Sequence, residues 1–248
     1  MTTDLDLLQI EIETLWTTDD RGRLLKSRDS NARAAPHLVI AVANDGQTVA
    51  FGSDVSDALA DELRAAFDSE PPASPATPPA SLARCEQLLA NALGPVELSS
   101  GPGYVIPPST AFASAAAIVK SDGGDPENLR DQVPEWQGWR REDWNLMLDG
   151  FYGPWAVATV DGQVIAYCHC ARLTDRGAEA GVGTHPKFRR QGHAAAATAA
   201  WASLLAPSGR HLFYSTSADN LSSQRVAARL NLRPIGWMWQ LSAPPWKV

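Results

Sequence analysis

Glu179 to Leu205 reads EAGVGTHPKFRRQGHAAAATAAWASLL, and the rest of the chain is organised around it. Small and β-branched residues alternate as far as Thr184. His185-Pro186 then breaks the run, and Arg189-Arg190-Gln191-Gly192-His193 turns into an alanine-rich segment of high helix propensity. The pattern is strand, tight turn, helix. A helix entered this way starts with backbone N–H groups that have no intrahelical acceptor, and the helix dipole adds partial positive charge there, which suits a phosphate. Gly192 lets the backbone approach a ligand, Ala194 begins the helix without bulk, and Arg189 and Arg190 supply counter-charge. The same turn is also compatible with a solvated helix cap.

The 248 residues suffice for one large domain or two small ones with an adequate core. Aspartate and glutamate number 28 against 21 lysines and arginines, a formal net charge of −7, so neither nucleic acid nor membrane is an expected partner. Any positive site must be local. Cys85, Cys168 and Cys170 give no even disulfide framework and fit a reducing, cytoplasmic setting. The start, MTTDLDLLQIEIE, is acidic and does not read as a signal peptide. The longest weakly polar run, Ala194 to Ala206, is too short to span a bilayer.

Taken in order, Leu7 to Trp16 and His37 to Phe51 read as strands, the latter as a hairpin turning at Asn44-Asp45-Gly46. Ser56 to Phe67 reads as a capped amphipathic helix, Glu70 to Ala80 as a proline-rich linker or loop, and Ser81 to Leu93 as a second capped helix ended by Gly94-Pro95. Val96 to Ile106 reads as a strand broken at Gly101-Pro102-Gly103, and Pro107-Pro108 as the domain boundary. Residues 1–108 then form a smaller α+β domain without a catalytic cluster, a packing or dimerisation module that makes a second copy of the chain a candidate partner. Beyond it come a strand at Ala115 to Val119, a capped segment at Asp125 to Val133, and six aromatic residues from Trp136 to Trp155. A hairpin around Asp161-Gly162, the central strand and helix, a strand at His211 to Thr216, a helix opened by Asn220 and a strand at Pro234 to Leu241 complete the chain.

The spacing Arg189-x-x-Gly192-x-Ala194, with Pro186 ahead of it, resembles the acyl-CoA pyrophosphate loop of the GNAT acetyltransferase superfamily. Tyr214 to Leu232, YSTSADNLSSQRVAARLNL, is similar to the second cofactor element of that family. The resemblance spans about residues 111 to 241. It implies an α+β domain over 109–248, a mixed and mostly antiparallel sheet flanked by helices, with acetyl-CoA as acyl donor between Ala178 to Thr184 and His211 to Thr216. It also implies that Val182, Gly183, Thr184, Arg189, Arg190, Gln191, Gly192, His193, Ala194, Asn220 and Ser223 contact the cofactor. Asn220 serves equally as a helix N-cap, Gly181 and Gly183 equally as sites of close packing, and Ser223 stands where the family often has alanine.

An amine that attacks a thioester needs a base, an oxyanion donor and preferably an acid. By the resemblance Glu179 is the base, with a surface ion pair as its rival reading, and the backbone N–H near Thr184 is the oxyanion donor. Ala227 occupies the position of the family's tyrosine acid, which leaves Ser222 or water to protonate the thiolate. Cys168-His169-Cys170 is half a metal site with no second ligand pair, and strand alternation sends His169 away from the cysteines, so no metal is expected. Glu135, Glu142 and Asp143 are candidates to attract a cationic acceptor, or simply a solvated face. The expected activity is direct transfer of an acetyl group to a primary amine of a small molecule. A peptide or protein N-acetyltransferase and a catalytically degenerate acyl-CoA sensor are the alternatives.

Overall fold

The computed structural model describes residues 2–29, 32–69 and 73–244. The chain divides into two compact units: Met1–Tyr104 with Ser215–Asn220 and Pro234–Val248, and Val105–Tyr214 with Leu221–Arg233.

The first unit opens with a helix, α1 (Asp4–Leu15), where the alternation of LLQIEIETLW suggests a strand. Its start is a capping box: Asp6 N–H donates to Thr3 Oγ1 at 3.1 Å and Thr3 N–H to Asp6 Oδ2 at 2.9 Å. Asp45, from the hairpin turn, accepts two further helix-end donors, Asp4 N–H at 2.9 Å and Leu5 N–H at 3.0 Å. The helix is buried on most sides, so its apolar residues lack the one-sided spacing that marks a surface helix. After a short ribbon, β1 (Trp16–Thr18) with β2 (Leu24–Ser27), the expected hairpin forms from β3 (Leu38–Val42) and β4 (Gln47–Phe51).

Two helices, α2 (Asp57–Asp68) and α3 (Leu82–Leu93), cover this hairpin; Leu59, Leu63, Phe67, Cys85 and Leu89 pack on Leu38, Ile40 and Phe51. Ser56 caps α2 through Leu59 N–H at 3.3 Å, whereas Ser81 makes no side-chain cap bond at α3. Gly94 ends α3 at φ 95°, as expected. Residues 73–80 carry no helix or strand, and 70–72 lie outside the described residues. The Gly101-Pro102-Gly103 break does not occur: β5 (Glu97–Val105) runs straight through it. The last strand, β11 (Arg233–Ser242), pairs antiparallel with β3, Trp239 opposite Ile40, giving the order β4-β3-β11-β5.

The second unit has the strand order β10-β9-β8-β7-β6, made of β6 (Ala117–Lys120), β7 (Trp155–Val160), β8 (Gln163–Leu173), β9 (Gly177–Thr184) and β10 (His211–Ser215). All neighbours are antiparallel except β9 and β10, which are parallel. Asp161 and Gly162 turn the β7–β8 hairpin with φ of 49° and 77°, both left-handed. The long helix α6 (His193–Leu205) lies against β7, β8 and β9, and its alanines allow close approach. On the opposite face sit α4 (Glu127–Arg130) and α5 (Arg141–Leu148), whose Leu129, Trp144 and Met147 pack on Val157 and Tyr167. α7 (Leu221–Arg229) ends in a Schellman motif: Leu232 N–H donates to the Ala227 carbonyl at 3.0 Å and Asn231 N–H to that of Ala228 at 3.1 Å. Asn231 itself is left-handed at φ 51°.

Candidate active site

The site begins where β9 and β10 part. Their parallel ladder pairs His211 with Gly177, Leu212 with Ala178 and Phe213 with Glu179, and stops there, while β9 continues to Thr184. On its other side β9 stays paired with β8 throughout, Cys168 opposite Val182 and Tyr167 opposite Gly183. The bulge in this ladder is at Ala171 of β8, between Cys170 and Arg172, and not at the glycines of β9.

Gly181 and Gly183 are needed for a side-chain reason. A Cβ on Gly183 would lie 2.5 Å from the Tyr167 ring, and one on Gly181 2.5 Å from His169 Nε2. The two rings fill the space the glycines leave, so close packing, the rival reading of these residues, holds on this face. Strand alternation puts Glu179 on that same face, and it is only 3% exposed. Cys168 and Cys170 point the other way, toward α6; burial raises both thiols, that of Cys170 to about 11.

Trp136, Trp139, Trp144, Tyr152 and Trp155 pack in one cluster with Tyr167, while Phe151 stays exposed. Trp139 Nε1 donates to Tyr167 Oη at 2.7 Å, Trp144 Nε1 to the Leu129 carbonyl at 2.9 Å and Trp155 Nε1 to the Leu148 carbonyl at 3.0 Å, so each indole satisfies its polar edge. Trp139 stands edge-on to His169 at 5.1 Å and Trp136 to His185 at 5.5 Å. Burial, foremost, holds His169 down to about 4 and raises the Tyr167 phenol well above its usual range. The folded protein therefore refuses His169 a proton that the unfolded chain accepts below about 6.5. Stability is full above that pH, declines as pH falls toward 4, and the loss is complete once both states are protonated. Denaturant titrations from pH 7 to 4 should show a loss on the order of 2 kcal/mol that disappears in His169→Phe; an unchanged pH slope in that variant would refute the assignment.

The basic turn enters α6 through two left-handed residues, Arg190 at φ 67° and Gly192 at φ 89°. A Cβ on Gly192 would lie 2.9 Å from Phe112 and 3.5 Å from Arg229 Nη1, and Arg229 Nη2 donates to the Arg190 carbonyl at 2.6 Å. The turn is thus braced from α7. Arg189, Arg190 and Gln191 are exposed, while Gly192, His193 and Ala194 are buried. The His193 ring sits between Ser114 Oγ and Gln191 Oε1, both at 3.3 Å. The first turn of α6 carries no acidic residue.

A family model for the acetyltransferase (GNAT) domain matches residues 107–233. The chain belongs to the GNAT acetyltransferase family. A GCN5-related N-acetyltransferase from Kribbella flavida is similar in fold at 16% identity and TM-score 0.54, over 99% of this chain and 97% of that one. A GNAT-family acetyltransferase from Colwellia psychrerythraea is similar at 14% identity and TM-score 0.50, over 97% and 96%. A putative GNAT acetyltransferase from Novosphingobium aromaticivorans matches at 20% identity and TM-score 0.46, the match spanning 60% of this chain and 66% of that one. A search of curated proteins finds no match. The chemistry of a GNAT domain is acyl transfer, generally from acetyl-CoA, to small-molecule or peptide acceptors. No helix among the described residues is long and apolar enough to cross a membrane.

Within the GNAT domain, Ala227 is buried against the fold and offers no hydroxyl. Sequence order hides a hydroxyl pair nearby: Tyr214 Oη lies 2.7 Å from Ser223 Oγ, one residue past the last rung of the β9–β10 ladder. Ser222 is exposed on the first turn of α7. Asn220 is exposed in the turn just before α7, its N–H donating to the Ser217 carbonyl at 3.1 Å. Ser114 and Phe112, which brace the basic turn, lie in a segment without a motif, and Arg229 falls within the Tyr214 to Leu232 element, where nothing in the sequence marks it as the partner of Arg190.

Proposed function

We propose that the chain transfers an acetyl group from acetyl-CoA to a primary amine of a small molecule. The parting of β9 from β10 beside a buried carboxylate is the observation that carries this reading. The bound donor supplies an activated thioester. The amides that open α6 take its diphosphate, with Arg189 and Arg190 as counter-charges, and the free edge of β9 from Val182 to Thr184 suits its amide-bearing arm. Glu179, on the glycine face of β9, takes the proton from the acceptor nitrogen, and the backbone N–H near Thr184 stabilises the developing oxyanion. Tyr214 with Ser223 returns a proton to the departing thiolate, the part otherwise left to Ser222 or water.

The test is Glu179→Gln, assayed as thiol release from acetyl-CoA with a panel of small amines across pH. A fall of roughly a hundredfold in kcat/KM for the amine, with acetyl-CoA affinity kept, supports the base assignment, a general base being worth about 10² to 10⁴. Unchanged turnover across the profile would overturn it.

A further inference from the structure

The acyl-transfer reading leaves His169 without a task. We propose that it positions the acceptor: its Nε2 accepts a hydrogen bond from the nitrogen of an arylalkylamine whose ring lies against Trp136 and Trp139. This rests on the reading that the glycine face of β9 is where transfer occurs.

The tautomer follows from one contact. His169 Nδ1 is 3.1 Å from the Cys170 carbonyl, which only accepts, so Nδ1 carries the proton and Nε2 keeps its lone pair. Among the described residues Nε2 has no hydrogen-bond partner, and it is not sealed from solvent. It sits over Gly181, where a Cβ would come within 2.5 Å of it, and therefore above β9 two residues along from Glu179. Trp139 and Tyr167 fix the ring from the sides, with centroids 5.1 and 5.9 Å away.

The surroundings select the ligand. Trp136 and Trp139 are half-buried and pack on the core from its rim, which leaves indole surface for a planar group. Charged groups on this side are Glu179 of β9, Arg172 of β8, the exposed Glu135, and Asp143 of α5, which is held by Arg140 at 2.8 Å. A neutral acceptor nitrogen and aromatic rings suit an N–H donor that carries an aryl group, the Arg172 guanidinium offsetting the charge of the Glu179 carboxylate. An aliphatic chain alone would leave the indoles unmatched.

The experiment is calorimetric titration of the full chain with 2-phenylethylamine and with propylamine, with and without saturating CoA. The wild type should bind 2-phenylethylamine at least about tenfold more tightly than propylamine, and Trp136→Ala should remove that preference. His169→Phe should weaken 2-phenylethylamine about tenfold, one hydrogen bond's share, and His169→Gln, whose amide oxygen reaches the place of Nε2, should restore it. In the unaltered protein the ¹⁵N resonance of the unprotonated Nε2 should move when 2-phenylethylamine is added, a readout independent of any variant's folding. Equal affinity of His169→Phe and wild type, a still resonance, or no binding of 2-phenylethylamine to the wild type would each overturn the proposal. CoA affinity, measured alongside, judges the acyl-transfer reading separately: its loss with 2-phenylethylamine binding intact would sink that reading alone.

Discussion

Replacing Arg189 and Arg190 together by glutamate is expected to weaken acetyl-CoA binding by roughly a hundredfold or more while leaving the melting temperature of the free protein almost unchanged. Both side chains are exposed, so the fold does not depend on burying them. In the proposed function their charge acts when a phosphate arrives. A charge-assisted hydrogen bond contributes about 1.5–3 kcal/mol, and reversing two such partners replaces attraction by repulsion at the mouth of a helix dipole. The backbone of the turn should persist, because the Arg229 guanidinium holds the Arg190 carbonyl and Gly192 keeps its left-handed conformation. The measurement is calorimetric titration with acetyl-CoA at two salt concentrations. Wild-type affinity should fall with salt and the variant's should not. Affinity within a few-fold of wild type would mean that the diphosphate does not rest on this turn.

Gly101→Ala is expected to lower the melting temperature by about 10 °C, a loss of about 3–5 kcal/mol in a chain of this size. A Cβ at that position would run into the Thr216 carbonyl oxygen and come within 2.9 Å of Ser217 Cα. Both obstacles are backbone, so no rotamer change relieves them. The segment cannot retreat cheaply either, since Thr216 N–H donates to the Pro102 carbonyl at 3.3 Å and Ala218 N–H to that of Ser100 at 2.8 Å. Gly209→Ala is the control. It is left-handed at φ 72° and ψ 4° with nothing within 4 Å of a new Cβ, so it carries only the conformational cost, about 1 kcal/mol. Equal melting temperatures for the two variants would refute the close approach.

These two sites also show where reading the chain succeeds. The arginine turn is local: charge, glycine and helix start lie within six residues, and the structure builds them as strand, turn and helix. The hairpins at Asn44-Asp45-Gly46 and Asp161-Gly162 and the left-handed cap at Asn231 are local in the same sense. At Gly101-Pro102-Gly103 the same logic fails. Two glycines around a proline read as a break, yet here Gly101 keeps the strand thin enough for the Thr216 backbone to lie on it, and Gly103 makes room for the Glu11 carboxylate. α1 fails differently: LLQIEIETLW alternates like a strand, and the deciding signal, Thr3 with Asp6, sits just before the apolar run.

The amino-acid order by itself determined the strand, basic turn and helix from Glu179 to Leu205 and the α+β class, because these depend on neighbours in sequence whose dihedral preferences and charges act over a few residues. Tertiary structure alone decided that Tyr167 and His169 fill the gaps at Gly183 and Gly181, that Tyr214 meets Ser223, and that β11 pairs with β3. The register of β8 against β9 sets the first of those meetings and that of β11 against β3 the last. A one-residue slip would turn every side chain of a strand to its other face, and no single segment carries the information that prevents it.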